Sequence, residues 1–372
     1  MKIVFDCRYT RIGRHDGISR YTAGLVAELA KLHPLTMLIS DHRQLDLLPN
    51  LPWELITAPT SAWEPLVARQ VNRLNPDVVF SPMQTMGSWG RQYRLVLTVH
   101  DLIYYRHRTP PRDLAWPIRL LWRLYHLAWW PQRMLLNRAD AVVTVSKTTR
   151  ALIAEHRLTR RPVSVVTNAA DDPPAALAVH ASARSMPPRP SLVYMGSFMP
   201  YKNVDTLARA VEALPGYELH LMSRVSDVER ERLTALAPHA AIVFHDGASD
   251  EEYSEELARA TALVSASHDE GFGIPLVEAM RLGTPVVVSD IPIFREIGGE
   301  AARFFDPDDI SELVRQVRSL EDPAQWLDAS ARSLQAAARY TWADSARHLL
   351  TVLTATVGRA EREERRVRRR LR

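Results

Sequence analysis

Ala262–Asp290 reads ALVSASHDEGFGIPLVEAMRLGTPVVVSD. The order is strand, glycine loop, helix, turn, strand. Ala262 to Ala266 is a short apolar run that suits a buried parallel strand. Gly271 and Gly273 flank Phe272 in the following loop, where the backbone can come close to a ligand. Pro275 suits the first turn of a helix and Gly283 its end; Pro285 to Val288 reads as the next strand. Such a loop, at the carboxyl end of a parallel strand and feeding a helix amino terminus, favours an anion through free N–H groups and the helix dipole. Glu270 lies in the loop and Glu278 one turn into the helix. The two carboxylates do not share a helical face, so they should meet different parts of one ligand. A carboxylate accepts well from paired hydroxyls such as those of a sugar or a ribose. An anion cradle flanked by two such acids suits a nucleotide-diphosphate sugar.

The same grammar recurs upstream. Leu192 to Met195 reads as a strand and Gly196 to Pro200 as a loop. Lys202 then precedes a helix over 204–214, with Asn203 as its expected N-cap. Lys202 is placed to neutralise a diphosphate together with free amides. Glu218 to Met222 is a strand followed by Arg224, a second candidate phosphate contact. Ile242 to Phe244 is a short strand, and Asp250 is expected to cap a helix over 251–260.

The first half repeats the alternation. Strands are expected at 2–5, 35–39, 78–80, 95–99, 141–145 and 163–167. A loop at 11–20 carries Gly13 and Gly17 and is made polar by Arg14, His15, Asp16 and Arg20. A helix over 19–32 should bury Leu25, Leu29 and Leu32 on one face. His100 and Asp101 follow a strand's carboxyl end, where side chains of a doubly wound sheet meet ligands. Residues 109–138 are rich in tryptophan and arginine. The spacing predicts that Trp122, Leu124, Tyr125, Trp129 and Met134 pack inward while the arginines face water; a basic, aromatic helix also suits an anionic membrane surface.

The chain has 372 residues, long for one domain and comfortable for two. The boundaries read as a first domain at 1–170, a Pro-, Ala- and Ser-rich linker at 171–190, a second domain at 191–340, a last helix at 341–358 and a basic tail at 359–372. The tail holds eight arginines against three glutamates. Its surplus of positive charge exceeds the net +4 of the whole chain, leaving a near-neutral body. A solvated or disordered end is the expectation there, with anionic membrane contact as the alternative. One cysteine, Cys7, leaves no intramolecular disulfide and reads as a small buried residue. The first residues enter a strand directly and no apolar run reaches the length of a membrane span. The expected location is cytoplasmic, at most at the inner face of a membrane. His245, His268 and Asp269 do not make a compact ligand set, and no metal site is expected. Asp306-Pro307-Asp308 matches a metal–diphosphate motif in letters only and reads as a turn after a strand.

The E-x7-E pair Glu270/Glu278 within EGFGIPLVEAM, followed by GTPVVVSD, resembles the signature of family GT4 retaining glycosyltransferases. The GIS-RY segment at 17–21, TVHDLIYY around His100, TVS at 144–146, GSFMPYKN at 196–203 and YTW at 340–342 are similar to further family segments. The resemblance covers nearly the whole chain, most weakly at 40–75 and in the tail. It implies an α/β GT-B architecture: two Rossmann-like, doubly wound domains facing across a cleft, with the C-terminal helix crossing back to the first. It implies transfer of a hexose from a nucleotide-diphosphate sugar, with retention and without a bound metal or other cofactor. Glu270, Lys202 and His100 are the residues implied in the chemical step. Donor contacts fall on Gly196, Ser197, Lys202, Arg224, Phe244, Glu270, Gly271, Phe272, Gly273, Ile274 and Glu278, and the acceptor side on Gly17, Arg20, His100 and Asp101. Many members carry arginine where Ser197 stands, so one phosphate contact is missing and Arg224 is the candidate substitute. The combined motifs are most like bacterial mannosyltransferases, making GDP-mannose the leading donor and a polysaccharide, oligosaccharide or glycolipid the acceptor. UDP- and ADP-sugars remain open, as does a non-transferring GT-B enzyme such as a UDP-sugar 2-epimerase. A nucleic-acid-binding protein would use the arginine tail, but the body adds no basic stripe with interleaved aromatics on strands.

Overall fold

A computed structural model describes residues 1–13, 16–110, 116–174, 177 and 189–370. Arg14, His15 and most of the expected linker lie outside the described residues. The chain divides into two compact units, Met1–Ala169 with Thr341–Arg372, and Ala170–Tyr340.

In the first unit the strands are β1 (Ile3–Asp6), β2 (Leu35–Ile39), β3 (Trp53–Leu55), β4 (Val78–Ser81), β5 (Arg94–Val99), β6 (Ala141–Thr144) and β7 (Val163–Val165). They form one sheet in the order β3-β2-β1-β4-β5-β6-β7, parallel throughout. The central strands are buried on both faces, as near-continuous Val/Leu/Ile runs require. The order reverses between β1 and β4, so the loops after these two strands open side by side at the carboxyl edge. The edge strand β3 escaped the sequence reading: its three residues are all exposed and show no buried periodicity.

The helix Gly17–Leu32 starts two residues earlier than the pattern suggested, because the Asp16 carboxylate accepts from the Ser19 N–H and caps it. Leu25 and Leu29 are buried, but Leu32, in the last turn, is exposed. Gly24 gives this helix a close seat for the C-terminal helix: a Cβ there would come within 2.4 Å of the Trp342 ring. Ser345 Oγ adds a 2.8 Å bond to the Thr167 carbonyl. The C-terminal helix spans Trp342–Arg370, so the basic tail continues it rather than ending near 358.

Beyond β1 lies a buried charge cluster that the sequence did not announce. The Arg8 guanidinium donates to Asp6 (2.8 and 3.0 Å) and to Glu64 (2.7 and 3.0 Å). Ser81 Oγ and the Gly87 N–H donate to the same two carboxylates, sharing Asp6 Oδ2 and Glu64 Oε1 with the guanidinium. Cys7 is buried beside them and its thiol is pushed well up, mainly by that burial, which suits a packing residue and not a nucleophile.

In the second unit the strands are β8 (Arg189–Tyr194), β9 (Glu218–Leu221), β10 (Ala241–Phe244), β11 (Ala260–Ser265), β12 (Val286–Ser289) and β13 (Ala302–Phe305). Their order is β10-β9-β8-β11-β12-β13, again all parallel. Relabelled from β8, this is the 3-2-1-4-5-6 order of a dinucleotide-binding sheet, with its reversal between β8 and β11. Leu192, Leu219, Val264 and Val287 point into one core, closed by the buried Trp326, whose indole N–H reaches the Thr261 carbonyl at 3.0 Å. The helix Asp250–Arg259 is capped by the Ser249 hydroxyl; Asp250, expected as the cap, is its first residue and adds negative charge to the first turn.

Candidate active site

The two strands that meet at the reversal point of the second sheet lead to Lys202 and Glu270. After β8 the chain passes Gly196 and a short turn, Pro200–Lys202. After β11 it passes Ser267 and reaches Glu270. Lys202 Nζ and Glu270 Oε1 form an ion pair, both side chains largely buried. Ser267 Oγ donates to the same Glu270 oxygen at 3.1 Å, and the Tyr201 ring lies 5.4 Å from the ammonium. The His268 N–H bonds to the Tyr201 carbonyl at 2.8 Å and ties the two loops together. Lys202 is thus not a solitary cation; its charge is held on the sheet's carboxyl edge by the acid that shares the site.

Beside this pair runs a row of backbone donors. The N–H groups of Gly271, Phe272, Gly273 and Ile274 meet no acceptor among the described residues. They lead into the helix Ile274–Arg281, with Gly273 as its N-cap at φ +91° and Pro275 in its first turn. Consecutive amides at a helix amino terminus, next to an ammonium, form a site for a dianion. Glu278 is half-buried in the second turn of this helix and has a partner of its own. The Phe272 side chain is buried edge-on against Tyr340, with centroids 5.6 Å apart, so its backbone is what it offers to a ligand.

The neighbouring loops are built tightly. Gly196 donates its N–H to Ser223 Oγ at 3.1 Å, and a Cβ on it would lie 2.6 Å from the Tyr194 hydroxyl. That hydroxyl donates to the Ser197 carbonyl at 2.7 Å. The Ser197 side chain is exposed. Asn203 sits at the N-cap of the helix Val204–Glu212 but does not cap it with its side chain. Its backbone is left-handed and its amide donates to the Pro307 carbonyl at 2.8 Å, fastening the Lys202 turn to the turn after β13. Arg224 is exposed after β9 and lies over Gly247, whose missing Cβ leaves room for the arginine stem. Phe244 is half-buried at the end of β10, its ring covered by the Arg230 guanidinium at 4.5 Å.

Among the described residues no group of three or more His, Cys, Asp or Glu side chains is placed to hold a metal. His245 is engaged by Glu252 at 2.8 Å and His220 at 3.0 Å, while His268 lies 3.7 Å from Asp308, so His245 and His268 have separate partners. Asp306 accepts the Asp308 N–H within its own turn.

In the first unit, Gly17 opens its helix and Arg20 lies half-buried with a partner. Asp101 accepts the Ile103 N–H at 3.1 Å. His100 follows β5; its Nε2 lies 2.7 Å from the Pro82 carbonyl and its ring is edge-on to Tyr21. Burial pushes its pKa down to about 4. The ring is therefore neutral at pH 7, donating from Nε2 and leaving Nδ1 as an acceptor. The unfolded chain would take that proton near pH 6.5 and the fold resists it to about 4. Stability contributed by this ring is then complete above the upper value and falls as pH drops between the two. An NMR titration should find the neutral tautomer still dominant at about pH 5; a midpoint near the unperturbed value would contradict this.

Two family models match the chain in succession: Glycosyltransferase Family 4 over residues 15–172 and Glycosyl transferases group 1 over residues 180–339. The chain belongs to glycosyltransferase family 4. This GT4 chain is 24% identical over 346 residues to the O-antigen chain mannosyltransferase RfbU of Salmonella typhimurium, covering 89% of its own length and 94% of the relative's. The fold is that of sucrose-phosphate synthase from Thermosynechococcus elongatus (TM-score 0.70, 19% identity, 95% of this chain and 98% of that one). Anabaena HepE, solved in complex with UDP and glucose, superposes with a TM-score of 0.68 at 18% identity, over 95% of this chain and all of its own (100%). The GT-B architecture and the glycosyltransferase class expected from the motifs both hold.

Proposed function

We propose that this GT4 enzyme transfers mannose from GDP-mannose, with retention, to a glycan or glycolipid acceptor. The observation that carries the donor site is the Lys202–Glu270 pair beside four consecutive open amides, at the reversal point of a 3-2-1-4-5-6 sheet. Mannose is favoured by the full-length likeness to a mannosyltransferase and by the motif set around Gly17, His100 and Lys202.

In this reading the amides of Gly271 to Ile274 and the Lys202 ammonium receive the diphosphate. As the glycosidic bond breaks, negative charge grows on the leaving phosphate, and a preorganised cation and amide row stabilise it most when it is fully developed. Glu270, fixed by Ser267 and Lys202, accepts from donor-sugar hydroxyls, while Glu278 accepts from the ribose. No protein base is required: the departing diphosphate can take the acceptor hydroxyl's proton on the same face. His100 Nδ1 is suited to accept from a sugar hydroxyl, not to donate a proton. Arg224 stands in for the arginine absent at position 197.

A thermal-shift screen against GDP, UDP, ADP and their sugars tests the donor, since a ligand that binds the folded state raises its melting temperature. GDP and GDP-mannose should give the largest shifts; a larger shift with UDP- or ADP-sugars would reassign the base, and no shift with any nucleotide would remove the donor site. Glu278→Ala should raise KM for the donor roughly 10- to 100-fold with kcat nearly unchanged, as expected for losing ribose contacts present in ground and transition states alike. A normal KM would detach Glu278 from the nucleoside.

A further inference from the structure

The segment 116–138 meets the sequence expectation at Trp122, Tyr125 and Trp129 and departs from it at Leu124 and Met134. It forms two helices, Trp116–Tyr125 and Trp130–Arg138. Trp122, Tyr125 and Trp129 do turn inward: Trp129 stacks on Tyr105 at 3.9 Å, and Tyr125 reaches Gln132. Leu124 and Met134, however, are exposed, and so are Trp116 (75%), Leu121 (68%) and Trp130 (64%). On the first helix Trp116, Leu120, Leu121 and Leu124 fall within a sector of about 140°, with Arg119 and Arg123 along one edge. An apolar sector of this width facing water in both turns calls for a partner.

Beside the second helix is a cavity of about 1100 Å³ lined by Arg133, Arg150, Arg157, Arg160 and Arg161, with no carboxylate among its lining residues. Its geometry is fixed by backbone bonds. Arg133 donates to the His156 carbonyl at 2.8 Å, Arg161 to the Asn137 carbonyl at 3.1 Å, and Asn137 Oδ1 accepts the Arg160 N–H at 2.9 Å. Arg133 connects the cavity to the exposed Trp130 and Met134: Trp130, Arg133, Met134 and Asn137 lie within about 100° of one helix. Five exposed guanidinium groups gathered without a counter-charge repel one another unless an anion joins them.

We propose that this face docks on an anionic bilayer, with headgroup phosphates in the arginine cavity and the exposed side chains of Trp116, Leu120, Leu121, Leu124 and Trp130 in the interface. Guanidinium forks match phosphate oxygens, and tryptophan beside leucine on a helix lying flat is the chemistry of an interfacial anchor. Aliphatic Leu120, Leu121 and Leu124 favour hydrocarbon over the stacked bases of a nucleic acid. Among the described residues no helix is long and apolar enough to cross a membrane, so the contact is peripheral. The proposal is independent of the donor site and brings this unit to a surface where a lipid-linked acceptor would lie.

The test is co-flotation of the full chain with vesicles of phosphatidylcholine alone or mixed equally with phosphatidylglycerol. The wild-type chain should float with the mixed vesicles only, and less as salt is raised. Arg150→Ala/Arg160→Ala should cut the partition coefficient about 25-fold, at about fivefold per arginine, and Trp130→Ser should lower it further. Both variants should keep the wild-type melting temperature and nucleotide binding. Equal binding to both vesicle types, or full binding by the arginine variant (which would place the contact in the basic tail), overturns the proposal. So does competition by inorganic pyrophosphate with no effect of Trp130→Ser, which would make the cavity a site for a free phosphate compound, or competition by single-stranded DNA.

Discussion

Lys202→Ala is expected to lower kcat by about 10²–10³-fold while changing the donor KM much less, the size seen when one preorganised donor to a developing anion is removed. Lys202 ends a tight turn after β8, its side chain is largely buried with the ammonium over the Tyr201 ring, and that ammonium is paired with Glu270 from the loop after β11. The pair costs little to reorganise, because the ammonium has three donors and Glu270 occupies one direction. When the diphosphate arrives, the same ammonium can bridge the carboxylate and a phosphate oxygen. Its interaction with the phosphate strengthens as charge accumulates there, which puts the loss in kcat. Lys202→Arg should recover only part of the activity, since a planar fork does not reproduce a point charge in this turn. Initial-rate kinetics of both variants check this; a Lys202→Ala enzyme within about threefold of wild-type kcat would remove the residue from the chemical step.

The second large effect is on stability. Arg8→Met should destabilise the first unit by about 3–5 kcal/mol, because it leaves Asp6 and Glu64 buried without their cation. Both carboxylates also hold backbone or hydroxyl donors from β4 and the loop at Gly87, so the loss spreads from β1 to its neighbour. Removing the acids as well, in Arg8→Met/Asp6→Asn/Glu64→Gln, should restore part of the stability, since an uncharged cluster no longer carries unpaired charge. Urea unfolding of the three chains compares them; a cost for the single change below about 1 kcal/mol would show that the cluster is better solvated than its geometry indicates.

The loop within 262–290 was legible because its local signals agree on one structure. Strand, glycine N-cap, proline in the first turn and glycine at the end each demand the same backbone, and the two acids ride on it. What remained hidden depended on distance along the chain. The Lys202–Glu270 pair joins residues 68 positions apart, and only the adjacency of β8 and β11 makes them meet. Ser267, which fixes Glu270, looks like any loop serine until the loop is folded. The Arg8 cluster reads as a polar loop start because its partners come from residue 64 and from β4. Helical periodicity identifies an apolar sector but not what it faces: for Trp116–Tyr125 that sector faces outward, the reverse of the inward packing expected for Leu124. Asn203 has the right identity for a cap, yet its amide is drawn to the Pro307 carbonyl, a contact between loops that no local rule contains.

The central claim is that a nucleotide-diphosphate sugar is gripped by Lys202 and the amides of Gly271 to Ile274, with Glu270 on the sugar and Glu278 on the ribose. A crystal structure of the enzyme with GDP-mannose, or with GDP and an inert mannose analogue, measures this directly. The account predicts phosphate oxygens within hydrogen-bonding distance of the Lys202 ammonium and at least two of those amides, with the ribose hydroxyls on Glu278. A nucleotide seated elsewhere, or one that leaves Lys202 on Glu270 alone and Glu278 turned away from the ribose, would contradict it.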